Sequence, residues 1–222
     1  MDQVNKNYYD AAAIGDLVGV ADALNNGADV NVQNGDGRSP LMRSAKRGHT
    51  DVVKCILEHG GNVNLKDNNN KTALMHASKK GHLYIAKMLV NAGADVNAQD
   101  NKGRSSLMRA AFLGNTEVCE YLLDNGAEID EEDEMGRTAF MEACLGLKFD
   151  VIQLLVERHA DVNKQDKNGC TALMRAAYSG YPELCRYLVE HGADKNITDN
   201  SGNKAYNYVH QSGAEELKEY LK

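Results

Sequence analysis

No stretch of this 222-residue chain is apolar for long enough to cross a membrane, and its start, Met1-Asp2-Gln3-Val4-Asn5-Lys6, has no basic segment followed by an apolar one. Neither a membrane span nor a standard secretory leader is expected. Positive charge is also in short supply: 25 Lys and Arg stand against 32 Asp and Glu, a formal net charge of −7, which argues against nucleic acid as a partner. The five cysteines are odd in number, with no Cys-x-x-Cys pair and no Cys/His ligand spacing. Reduced thiols in a cytoplasmic setting are expected, and nuclear residence or export through a specialised system is compatible with the chain. The sequence contains no phosphate-binding Gly loop, no His-Glu-x-x-His and no nucleophile elbow. His49, His59, His76, His82, His159, His191 and His210 lack a partner cluster, so they read as structural. No catalytic residue, cofactor or metal is expected. The acidic run at 128–134 lacks the alternate ligands and internal Gly of an EF-hand loop and reads as a solvated charge run.

What the chain does have is a period of 33 residues without insertion or deletion, marked at Gly37, Asn70, Gly103, Gly136, Gly169 and Gly202. Each unit opens with Asp, two variable residues, Gly, a variable residue, Ser or Thr, a small residue and Leu-Met; Asp166-Lys167-Asn168-Gly169-Cys170-Thr171-Ala172-Leu173-Met174 is one copy. A small pair follows, such as Ala110-Ala111, then a break at Gly48, Gly81, Gly114 and Gly180. A second apolar run such as Val52-Val53 with Ile56-Leu57 has the spacing of one helical face. The unit closes on Gly-Ala-Asp-Val-Asn or a near variant. Ser or Thr before the first helix is placed to cap it, and Asp51, Glu117, Asp150 and Glu183 open the second helix, where acids complement its dipole. The glycines at 27, 60, 93, 126 and 192 suit the left-handed residue that ends a helix. A unit this short cannot bury its own apolar face and must stack on its neighbours.

These motifs resemble the ankyrin repeat over residues 4–222. The resemblance implies an all-α, curved solenoid of seven helix-turn-helix units, with turn or hairpin fingers and a concave groove. The units are an N-terminal cap (1–36), internal repeats 37–69, 70–102, 103–135, 136–168 and 169–201, and a C-terminal cap (202–222), forming one domain without linker or tail. Asn7, Asp10 and Asp16 keep the first cap wet, and Lys218 replaces the apolar residue held by Val53, Ala86, Cys119, Ile152 and Cys185 inside the stack. One departure is systematic. The family has Thr-Pro-Leu-His where this chain has Met at 42, 75, 108, 141 and 174. The family's His bridges the loop, so a polar tie is expected to give way here to packing. A second irregularity lies in unit 136–168, where Leu147 stands in the place of the break glycine and His159 in that of the helix-ending glycine. Gly146 is expected to take over the break one residue early.

The resemblance places a protein partner against the turn tips and the first helices. Three columns of the repeat map there. After the turn Gly come Arg38, Lys71, Arg104, Arg137 and Cys170. After the Met come Arg43, His76, Arg109, Glu142 and Arg175. The first helices end in Lys46-Arg47, Lys79-Lys80, Phe112-Leu113, Leu145-Gly146 and Tyr178-Ser179. The cations of these columns are densest at 37–102, and apolar groups appear from Phe112 onward. The expected function is a non-catalytic, monomeric scaffold, adaptor or inhibitor whose partner carries an acidic segment and apolar anchors. Two other readings stand beside it: a phosphate-rich small molecule or lipid headgroup at the basic half, and hydroxylation of the hairpin residues Asn31, Asn64, Asn97 and Asn163, a modification known in the family.

Overall fold

The computed structural model describes residues 1–210 and 215–222, so residues 211–214 of the expected C-terminal cap lie outside the described part. The chain divides into two compact units, Met1–Ala110 with Glu117–Ala127, and Ala111–Thr116 with Glu128–Lys222. The first holds α1 (Gln3–Ile14), α2 (Leu17–Asn25), α3 (Pro40–Arg47), α4 (Thr50–Glu58), α5 (Ala73–Lys80) and α6 (Leu83–Asn91), with most of α7 (Ser106–Leu113) and all but the first residue of α8 (Thr116–Asp124). The second holds the end of α7, then α9 (Ala139–Leu145), α10 (Phe149–Glu157), α11 (Ala172–Ser179), α12 (Pro182–Glu190), a 3-10 turn (Ala205–Tyr208) and α13 (Glu215–Tyr220). No strand occurs among the described residues; the segments between helix pairs are hydrogen-bonded turns, as in Asn70 N–H to the Asp67 carbonyl at 2.8 Å.

The helices start and stop for the reasons the sequence supplies. Ser39, Thr72, Thr138 and Thr171 accept the amide N–H of Met42, Met75, Met141 and Met174, satisfying one of the free donors of each first helix. Gly48, Gly81, Gly114 and Gly180 close α3, α5, α7 and α11 with φ between 71° and 82°. At the second helices the left-handed glycine comes one residue later, as at Gly27. Gly27 N–H reaches the Leu24 carbonyl and Ala28 N–H the Ala23 carbonyl, both at 3.0 Å, the paired bonds of a Schellman end.

Inside the first unit α3 packs on α1, α4 and α5, and α4 on α2 and α6; inside the second α9 packs on α10 and α11, and α11 on α12 and the 3-10 turn. Ala12, Ala45, Ala77, Ala111 and Ala143 are buried at the helix contacts, where side chains this small permit close approach. Leu41, Ile56, Leu74, Leu89, Phe140, Leu155 and Leu188 fill the layers between, each contributing on the order of 1.5–3 kcal/mol through removal of its surface from water. The five methionines are 1–2% exposed, as their inward phase implies. Asn7, Asp10, Asp16 and Lys218 are exposed, while Val53, Ala86, Cys119, Ile152 and Cys185 are fully buried.

One expectation is corrected. Gly146 does not take over the break: it stays right-handed at φ −80°, and Leu147 itself adopts φ 53°. Gly146 serves close approach instead, since a Cβ on it would stand 2.4 Å from the Phe112 carbonyl oxygen. His159 does take the left-handed value, φ 64°, completing the same helix end that glycine completes elsewhere, with its N–H on the Val156 carbonyl and that of Ala160 on Leu155.

Candidate functional site

Within each unit the turn aspartates organise the segments that carry the partner-facing columns. Asp67 Oδ1 accepts the amides of Asn69 and Lys71 at 2.8 and 2.9 Å, and Asp100, Asp133, Asp166 and Asp199 repeat this arrangement. In four of the five, the second oxygen is met by the residue nine positions on. Arg109 pairs with Asp100, Arg175 with Asp166, and Tyr208 donates its hydroxyl to Asp199; His76 Nε2 lies 3.9 Å from Asp67. The polar tie that replacement of His by Met was expected to remove is therefore present, supplied one residue later in the chain. A side chain nine positions after the turn Asp reaches back to it, so the methionine packs while its neighbour bonds.

Unit 136–168 makes the tie with charges exchanged. Glu142 occupies the column, and Arg137 on the turn bridges Asp133 (Nε at 3.0 Å, Nη2 at 2.8 Å) and Glu142 (3.2 Å). Burial pushes Asp133 upward, but the Arg137 guanidinium and the turn amides outweigh it and hold the carboxyl below its usual range. At the C-terminal end, the Tyr208 hydroxyl and the amides of Asn203 and Ser201 hold Asp199 down to about 2.

In the first unit a cleft of about 250 Å³ is lined by Arg38, Lys46, Asp67, Lys71, Met75, His76, Lys79, Lys80 and Arg109. Lys46, Lys79 and Lys80 are exposed and Lys71 half-buried. His76 forms the floor. Burial, then the positive charges of Lys46, Arg109 and Lys71, pull it down to about 4 against the opposing pull of Asp67. Lys79 is held below the usual lysine range, first by burial and then by Arg109, Lys71, Lys80 and Lys46. Several cations of the columns have other contacts. Arg43 lies over the Tyr9 ring at 5.1 Å, Arg47 donates to the Ala13 carbonyl, Arg38 pairs with Asp36 at 3.3 Å, and Arg104 is half-buried.

The second unit carries a different surface. A cleft of about 330 Å³ is lined by Leu145, Cys170, Met174, Arg175, Tyr178, Ser179 and Tyr208. Leu145 is 47% and Tyr178 64% exposed, and Phe112 and Leu113 of the same unit are also exposed. Tyr178 meets Tyr208 and His210 edge-on, at centroid distances of 6.5 and 5.9 Å, and still leaves most of its ring in solvent. Cys170 Sγ lies 3.5 Å from the Tyr208 hydroxyl.

The sequence columns thus fall on two kinds of ground. Exposed Lys46, Lys79, Lys80, Phe112, Leu113, Leu145 and Tyr178 face water, whereas Arg109, Arg137 and Arg175 are engaged by buried carboxylates of their own turns. Sequence reading missed the turn aspartates as binding partners and missed Tyr208 altogether. The signal was available: Tyr208 lies one period after Arg175 and Asp199 one period after Asp166. Histidines at 49 and 82 are structural, their rings lying over Gly15 and Gly48, where an added Cβ would come within 2.7 and 2.8 Å. His59 and His191 each bond the carbonyl four residues back, Cys55 and Tyr187, at 2.7 Å. No metal-binding cluster and no helix long and apolar enough to cross a membrane occur among the described residues.

No curated protein matches this chain. Among solved structures, it is similar to the human ASB11 ankyrin repeat domain, with 26% identity, a TM-score of 0.87 and coverage of 97% of each chain. The family model for ankyrin repeats (three copies) matches residues 9–100 and again 107–199. With the helix pairs, glycine ends and turn aspartates in phase along those same residues, the chain belongs to the ankyrin repeat family.

Proposed function

We propose that this protein is a non-catalytic interaction module that recognises a partner protein through its turn tips and the ends of its first helices. The observation that carries the reading is the exposure of Leu145 and Tyr178 beside an open apolar cleft. Helix packing does not require large apolar groups at these sites, and clustered exposure of this kind marks interaction surfaces. Aromatic and aliphatic anchors of this type supply most of the binding energy at interfaces. The lysines of the first unit add long-range attraction for an acidic partner segment and act mainly on the association rate. Division into five internal repeats between two caps belongs to the same proposal, since each repeat then contributes mainly by holding its neighbours in register. All five cysteines are unpaired, which supports action in a reducing compartment such as the cytoplasm.

Photo-cross-linking tests this reading. A p-benzoylphenylalanine placed at position 80 or 145 should trap the same protein from source cells, and the same residue at exposed position 54 on α4 should not. Cross-links from position 54 alone would move the interface to the second helices and overturn the proposal.

A further inference from the structure

The basic cleft of the first unit has a charge balance that helix architecture does not require. Lysines at helix C-termini complement the helix dipole, which would account for Lys46, Lys79 and Lys80. Yet the equivalent helix ends in the second unit carry Leu145 and Tyr178, so the dipole alone does not demand cations there, and Lys71 sits on a turn. The one carboxylate lining the cleft, Asp67, has Oδ1 committed to the two turn amides and Oδ2 facing His76. Lys46, Lys71 and Lys80 form no ion pair among the described residues. Arg109, the arginine nearest the floor, is already engaged by Asp100.

Apart from Arg109 and from Arg38, which pairs with Asp36, the cations lining the cleft are ammonium groups. Each ammonium is a point charge with three donors, so a group of them binds phosphate oxygens from several directions without the fixed geometry of a guanidinium fork. The groups come from the ends of two helices and the turn between them, so one monoanion cannot serve them all. A net charge of −7 repels polyanions elsewhere on the protein, which makes a local cationic recess stand out against the whole.

We propose that the cleft walled by Lys46, Lys71, Lys79 and Lys80 above His76 binds a compact polyphosphate, of the pyrophosphate or inositol polyphosphate class, either free or as a lipid headgroup. The site goes beyond the partner reading and does not depend on it. A ligand held there would cover the lysines of the first unit and leave the apolar cleft of the second unit unchanged.

Isothermal titration of the full chain at physiological salt, with sodium pyrophosphate and with inositol hexakisphosphate, is the direct test. Saturable one-to-one binding and a rise in Tm with ligand concentration are expected, with no such response to sodium sulfate at equal ionic strength. A Lys46→Gln, Lys79→Gln double variant, shown to be folded by circular dichroism, should bind about tenfold or more weakly, and Lys54→Gln on α4 should bind as the wild type does. Flotation with vesicles containing phosphatidylinositol bisphosphate separates the two sources: retention on vesicles at lipid concentrations where the soluble headgroup fails to compete assigns the site to a membrane lipid, and full competition assigns it to the soluble ligand. Absence of saturable binding in every arm, an equal response to sulfate, or equal weakening by Lys54→Gln would overturn the proposal. Each of those results leaves the cross-linking test of partner recognition to be decided on its own.

Discussion

Gly146 lies so close to the Phe112 carbonyl oxygen that a Cβ there would stand 2.4 Å away, while the residue after it, Leu147, bears the left-handed backbone. Glycine and strain have been separated onto neighbouring positions. Gly146→Ala should therefore destabilise the protein by roughly 1–3 kcal/mol, the usual cost of overpacking. Leu147→Gly should stabilise it by up to about 1 kcal/mol, because a left-handed Leu is strained and a left-handed Gly is not. Urea denaturation midpoints measure both, and an unchanged midpoint for Gly146→Ala would remove the close-approach account.

Two irregularities of the repeat meet at a single rung. Asn64, Asn97 and Asn163 donate their side-chain amides to the carbonyls of Gly93, Gly126 and Gly192, each 29 residues on. Asp130 in that series has no amide to give, and the residue 29 places on is left-handed His159. His159→Gly should raise stability by about 1 kcal/mol. Asp130→Asn should add about 0.5 kcal/mol by restoring a hydrogen bond. Thermal melts of the two single variants provide the check, and a lowered Tm for His159→Gly would contradict the strained helix end.

Arg137 is the only cation that bridges two buried carboxylates among the ion pairs described. Arg137→Met should cost about 3–5 kcal/mol, since both Asp133 and Glu142 lose a guanidinium in a water-poor setting. The acid limb of the stability curve should change with it. Asp133 is held below its unfolded value in the wild type, so its contribution is present above that value and is lost as pH falls through the folded one. In the variant this loss on acidification should be smaller, because only the turn amides remain to lower the carboxyl. Denaturant titrations between neutral pH and pH 3 would show whether the two curves converge.

His76 should titrate near 4 rather than in the ordinary imidazole range around 6.5, visible as a displaced imidazole resonance by NMR. The unfolded chain then takes up this proton at higher pH than the folded one. Stability attributable to His76 is full above about pH 6.5 and falls as the pH drops toward about 4. His76→Asn should flatten that interval. A normal His76 titration would mean that water and Asp67 reach the ring far better than its burial implies.

Much of this architecture was readable because it depends on local chemistry repeated at a fixed interval. Ser39 and Thr72 cap helices, Gly48 and Gly27 end them, and Met75 is buried, each for reasons contained in a few neighbouring residues. The site was less legible. An arginine such as Arg109 or Arg175 reads in sequence as a solvated cation, and only its reach across a turn to an aspartate nine residues earlier shows that it is committed. Position in the repeat told where Lys79 and Tyr178 lie, and it could not tell which of the cations had already found a carboxylate. Gly146 was misread for a related reason: glycine serves backbone freedom and close approach equally well, and only the neighbouring carbonyl distinguishes them.

The hairpin ladder sets a rule for how such a chain changes length. Asn31, Asn64, Asp130 and Asn163 each accept the amide of a residue 31 positions on, Asn62, Asp95, Asp161 and Asp194. An inserted or lost residue between two rungs would pull donor and acceptor out of phase, whereas duplication or excision of one full period re-forms every rung. Unequal exchange within the coding sequence is thereby filtered toward whole modules, and the ladder acts as a ruler that keeps descendants of this chain countable in units of one repeat.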